Sequence, residues 1–158
     1  MAKRFFLLPL SLFLLLLSLS SANPNPNLNP KPNSLLAAHT ELTGYGFPVG
    51  LLPSNVADYS INRTSGDFSV KLSDQCKLTL PPDNYLASYS KIVRGKIVKN
   101  KIAQLDGIRV RAMFQWWSIT GIRSSGDDLV FEVGLLSAKY PAKNFKESPP
   151  CEGLKADS

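Results

Sequence analysis

The residues able to do chemistry are few. The chain of 158 residues holds one histidine, His39, and two cysteines, Cys76 and Cys151. A Ser-His-Asp triad would have to recruit His39 from an opening helix. No Gly-x-Ser-x-Gly elbow, Walker loop, His-Glu-x-x-His stretch or Cys/His cluster accompanies it. Asp127 and Asp128 are adjacent carboxylates, but beside Gly126 they read as residues serving a hairpin turn, not as an acid and a base facing one cleft. The expectation is no catalytic residue, no cofactor and no metal, because no set meets the arrangement an active site requires.

Two readings exist for the cysteines. A two-thiol metal site lacks supporting ligands nearby, and His39 is far away in sequence. A Cys76–Cys151 disulfide suits an exported chain, closes a loop of about 75 residues and contributes roughly 4 kcal/mol on a chain-entropy account. It would also pin the tail "NFKESPPCEG", whose prolines give it little structure of its own.

Export is read from the first 22 residues. Lys3 and Arg4 precede an apolar run from Phe5 to Leu19, and Ser20-Ser21-Ala22 supplies small residues for cleavage after Ala22. A membrane anchor is the competing reading, but the run falls short of the roughly 20 residues a spanning helix needs. Removing residues 1–22 takes Lys3 and Arg4, the only charges lost, so the net charge falls from +6 to +4. That is too mild for a nucleic-acid binder. The expected location is extracellular, in the apoplast, with the endomembrane lumen or vacuole as alternatives. No transmembrane segment is expected after cleavage. Asn62-Arg63-Thr64 is an acceptor for N-glycosylation next to the turn residues Ser65-Gly66-Asp67.

These residues need elements to hold them. "NPNPNLNPKPN", residues 23–33, reads as an extended Asn/Pro-rich linker. Ser34 is placed to cap a helix with Leu35, Ala38 and Leu42 on one face and Gly44 as its stop. Beyond Pro53 the pattern turns to period two: Phe68, Val70 and Leu72, then "CKLTL", "ASYSKIVRGKIV", "KIAQLDG", "IRVRAMFQWWSITGI" and "DLVFEVGLLSAKY". Gly95, Asn100, Asp106-Gly107 and Gly126-Asp127 are read as breaks. About seven short sequential strands imply an antiparallel, mainly β, barrel-like domain over residues 34–151 with one N-terminal α-helix, and a tail at 152–158.

Three features point toward binding. "YGFPVGLLP", Tyr45 to Pro53, is a stiff apolar turn, either a plug packed on the domain or the lip of a pocket, with Tyr45, Phe47 and Leu51 as candidate contacts. Alternation puts Ile108, Val110, Ala112, Phe114 and Trp116 on one strand face, so Trp116 is expected to face inward, and both Trp116 and Trp117 are candidate ligand contacts. Trp117 is then covered by the Tyr45–Pro53 turn or is available to a ligand. Finally, Lys91, Arg94, Lys96, Lys99, Lys101, Arg109 and Arg111 are concentrated on neighbouring strands. They form either an anion-binding face for lipid headgroups or acidic polysaccharide, or a solvated face with lysines guarding strand edges.

The order of "YGFPVGLLP", "GDFSV", "GKIVKNKIAQLDGIRV", the Trp pair and "FEVGLLSAKYPAKNF…PPC" resembles the plant domain-of-unknown-function family numbered 538, over about residues 35–151. The resemblance implies a secreted β-barrel-like domain with a leading helix, similar to the lipid-binding bactericidal permeability-increasing fold, with a role in plant stress. It carries over no catalytic residue. The function expected is non-catalytic binding of an amphipathic or lipid-like ligand. The alternatives are an interaction protein whose basic face meets acidic wall polymers or membranes, and a hydrolase with an unrecognised site.

Overall fold

The structure, a computed structural model, describes residues 33–152. The expected signal peptide (1–22), nearly all of the linker and the tail beyond residue 152 lie outside the described residues.

Helix α1 spans Ser34–Gly44, and its cap is Asn33 rather than Ser34: the Asn33 side chain accepts from the Leu36 N–H at 3.4 Å. Ala38 and Leu42 face the core, as their spacing predicts. The helix does not stop on a left-handed Gly44. Tyr45 closes it, and the positive φ of +92° falls on Gly46.

Nine antiparallel strands follow: β1 Val56–Ile61, β2 Asp67–Leu72, β3 Cys76–Leu80, β4 Tyr85–Val98, β5 Lys101–Ala112, β6 Gln115–Ser118, β7 Gly121–Ser125, β8 Asp128–Val133 and β9 Leu136–Pro141. The sheet order is β1-β2-β4-β5-β7-β8-β9. The hairpin of β4 and β5 is its spine. β2 and β3 share the outer side of β4, pairing with its second and first halves, and β6 and β7 share the far side of β5 in the same way. Buried side chains from α1 and seven of these strands join one core cluster, so the sheet wraps around it, but β1 and β9 do not pair and the barrel stays open.

Two expected breaks are absent. Gly95 lies inside β4, and Asp106-Gly107 lies inside β5, where Gly107 at φ +105° and Gln104 at φ +50° mark bulges. A Cβ on Gly107 would stand 2.7 Å from the Ile92 carbonyl, so the glycine lets two backbones approach where the register of β4 and β5 slips.

Two breaks arise where none was expected. Met113 and Phe114, at φ +50° and +64°, make a two-residue hairpin between β5 and β6. Gly134-Leu135, with Gly134 at φ +63°, does the same between β8 and β9. The first reverses the alternation beyond Ala112. Phe114 is therefore 94% exposed and Trp116 projects from the solvent face, neither being core. The extra turns also make nine strands where about seven were expected.

Candidate functional site

The Tyr45–Pro53 turn is a plug. Phe47 is 2% exposed and Pro53 is fully buried. A 3₁₀ turn at Val49–Leu51 lies between the sheet, where the Tyr89 hydroxyl donates to the Leu51 carbonyl at 3.1 Å, and the C-terminal strap. From the strap the Ser148 hydroxyl donates to the Leu52 carbonyl at 2.6 Å, and the Pro149 carbonyl accepts from the Ser54 N–H at 2.9 Å. Gly50 is the contact point: a Cβ there would collide with the Phe145 carbonyl oxygen and stand 2.7 Å from that of Glu147.

The strap is pinned in turn by the Cys76–Cys151 disulfide, with Cα atoms 5.1 Å apart, and by the Glu152 N–H donating to the Lys77 carbonyl at 2.6 Å. The expected disulfide is present.

Tyr45 and Leu51 border a small apolar cavity of about 70 Å³ between α1 and the sheet. Phe47 lines neither this cavity nor the larger one beside Trp117, and no residue of the turn shares that larger cavity with Trp117.

A larger apolar cavity, about 220 Å³, lies at the other end, where no α1 residue joins the lining. It exceeds the ~150 Å³ apolar hole that accepts benzene in a protein interior. Trp117 forms one wall, its indole N–H donating to the Ala112 carbonyl at 3.1 Å, so the ring is held while its face stays apolar. Phe131, Tyr140 and Phe145 build the opposite wall through ring contacts of 6.0 Å and 5.4 Å. Tyr85 meets Tyr140 edge-on at 6.4 Å.

These two tyrosines and Ser137 bring the only hydroxyls among the lining side chains. Burial first, then the hydrogen bond with Tyr85 and the nearby Asp83 charge, push the Tyr140 phenol up to about 12. The Tyr140 phenol therefore stays protonated at any physiological pH, able to donate to or accept from a polar end group. Met113 and Leu136, from the two unexpected hairpins, stand at the mouth. Trp117 was legible as a candidate. Tyr85, Phe131 and Tyr140 were missed because only the fold brings β4, β8 and β9 together.

The basic residues are spread along the β4–β5 spine. Arg94 and Lys96 alternate with buried Val93 and Ile97, and Lys101, Arg109 and Arg111 with buried Ile102, Ile108 and half-buried Val110, so all five project away from the core. Lys91 sits at the bulge and Lys99 in the β4–β5 turn. Carboxylates interrupt the row: Asp106 lies opposite Arg94 in register, and Asp67 is 3.9 Å from Lys96. Two groups result, Lys96 to Lys101 at one end and Arg109 with Arg111 at the other.

Asn62 is exposed in the β1–β2 turn, its side-chain oxygen accepting from the Thr64 and Ser65 N–H groups at 3.0 and 3.1 Å. His39, on α1, has its pKa lowered by burial, and its Nε2 has no hydrogen-bond partner. Among the described residues no three His, Cys, Asp or Glu side chains cluster as a metal site, and no helix is long and apolar enough to cross a membrane.

A family model described as "Protein of unknown function, DUF538" matches residues 38–146, more than half of the chain, so the chain belongs to that family. No curated protein matches it.

Proposed function

We propose, with membership of that family as the premise, that this chain is a non-catalytic binding protein for a small amphipathic or lipid-like ligand held in the larger cavity. The observation that carries this reading is an apolar pocket of about 220 Å³ with the paired rings of Tyr85 and Tyr140 in its wall. Such a site takes an alkyl or aromatic body by burial and orients one polar end through Tyr85 and Tyr140. Export fits this role, and the Cys76–Cys151 bridge supports an oxidising compartment outside the cytosol.

The test is titration with the neutral fluorescent probe N-phenyl-1-naphthylamine. Ala138, half-buried in the lining, offers a site where a larger side chain fills the space. Saturable binding is expected that survives salt, falls by about tenfold or more in Ala138→Phe, and is unchanged when Arg94, Lys96 and Lys99 become glutamate. Binding of pectate that vanishes with salt and with those three changes, without probe uptake, would instead support a basic surface contacting acidic wall polymers.

A further inference from the structure

We propose that the two hairpin tips at the cavity mouth are an interfacial anchor that docks this end of the molecule on a phospholipid bilayer. The cavity's access to that bilayer rests on the ligand-binding reading, whereas the docking itself does not. At the tips Met113 is 82% exposed, Phe114 94% and Leu135 106%, with Leu136 beside them at 64%. Exposed apolar residues scattered singly need no explanation, but these four crown two neighbouring turns, and Met113 and Leu136 border one cavity.

Turn chemistry sharpens the point. A two-residue hairpin with positive φ at both central positions favours Asn-Gly, since a side chain strains that backbone. Here those positions hold Met113 and Phe114 at +50° and +64°. The sequence thus keeps large apolar groups where local structure disfavours them and where the fold gives them nothing to pack on. Strain of this kind is retained at sites whose function requires it.

A lipid surface fits better than a protein partner. A stable protein interface needs roughly 800 Å² from each side with matched shape, and two projecting turns offer points instead of a surface. Points suffice for immersion in a fluid phase. Directly behind the tips, Leu86, Arg111 and Trp116 lie side by side in register across β4, β5 and β6, all exposed, with Arg109 two residues further back. Tryptophan belongs at the headgroup level and arginine complements phosphate, so this row matches the layer just above the immersed tips. A docked molecule would place the mouth between Met113 and Leu136 against the acyl phase.

Phe114 and Leu135 line neither of the two cavities described above, so they can be changed without touching the ligand site. Phe114→Gly and Leu135→Asn also install residues that these turns prefer, so the melting temperature should hold or rise. Protein purified from a eukaryotic host is floated with vesicles of phosphatidylcholine, with and without phosphatidylglycerol. The wild type should co-float, more strongly with the anionic lipid, and its two tryptophans should shift to the blue. Each variant should lose about tenfold or more in vesicle affinity, while N-phenyl-1-naphthylamine binding in lipid-free solution stays unchanged. A wild type that ignores both vesicle types, or a double variant that floats like wild type, overturns the proposal. Self-association without lipid that the double variant abolishes would assign the tips to a second copy of this chain, and would also overturn it.

Discussion

Gly50→Ala should be strongly destabilising, although Gly50 is not among the glycines of positive φ. The cost comes from space. The added methyl would collide with the Phe145 carbonyl oxygen and lie 2.6 Å from its carbon and 2.7 Å from the Glu147 oxygen, all backbone atoms that no rotamer change can move. The strap must therefore retreat, while the disulfide and the Glu152–Lys77 contact hold its far end. Its two hydrogen bonds to the plug, Ser148 to Leu52 and Ser54 to Pro149, would stretch, at about 1 kcal/mol each. Overpacking adds ~1–3 kcal/mol, and the stiffer unfolded chain offsets this by ~0.4–1 kcal/mol. The net is about 2–4 kcal/mol, or roughly 6–15 °C in melting temperature for a domain of this size. Thermal melts followed by circular dichroism without reductant measure it. The same change in a Cys76→Ala, Cys151→Ala background should cost less, because the freed strap can yield. A Gly50→Ala variant within about 0.5 kcal/mol of wild type, the scatter of neutral surface changes, would refute the reasoning. So would a penalty that ignores the disulfide.

Removing the disulfide alone, through Cys151→Ser, should lower stability by up to roughly 4 kcal/mol, as read from denaturant midpoints, and alkylation of unreduced wild type should label no thiol. For Tyr140, whose phenol is raised from 10.0 to about 12, the neutral form is the one the fold favours. Its contribution to stability is complete below pH 10 and is lost as pH rises through about 12. Burial also pushes the Tyr89 phenol up, so ultraviolet titration should show late phenols of which Tyr140→Phe removes one, and an unchanged late fraction in that variant would contradict the assignment.

Much of this architecture was legible. Period-two runs announced an antiparallel sheet, Ala38 and Leu42 announced the buried helix face, and two cysteines in a chain expected to be exported announced one bridge. The misreadings share a cause. "AMFQWW" carries no turn residue, so the hairpin at Met113–Phe114 read as strand interior, and every side chain after it was assigned to the wrong face. Asp106-Gly107 carries the strongest turn signal in its stretch, yet cross-strand packing keeps β5 continuous and converts the pair into a bulge. The cavity was the least legible feature, because its walls come from β4, β5, β8 and β9, and no local pattern records which strands meet.

The strand path β1-β2-β4-β5-β7-β8-β9 ends in two free margins, and each bears on whether another chain can add itself as a further strand. At one margin β1 bulges between Val56 and Asp58, which bends the strand's outer edge, and the glycosylation acceptor Asn62 follows it directly. A glycan on Asn62 would shield that edge further. At the other margin β9 is six residues long, carries Lys139 and ends in Pro141, which has no N–H to offer. Fibrillar stacking needs long, flat, uncharged edges, and neither margin supplies one. The unclosed barrel therefore leaves room between its ends for a cavity without offering either end of the strand path to strand-by-strand polymerisation.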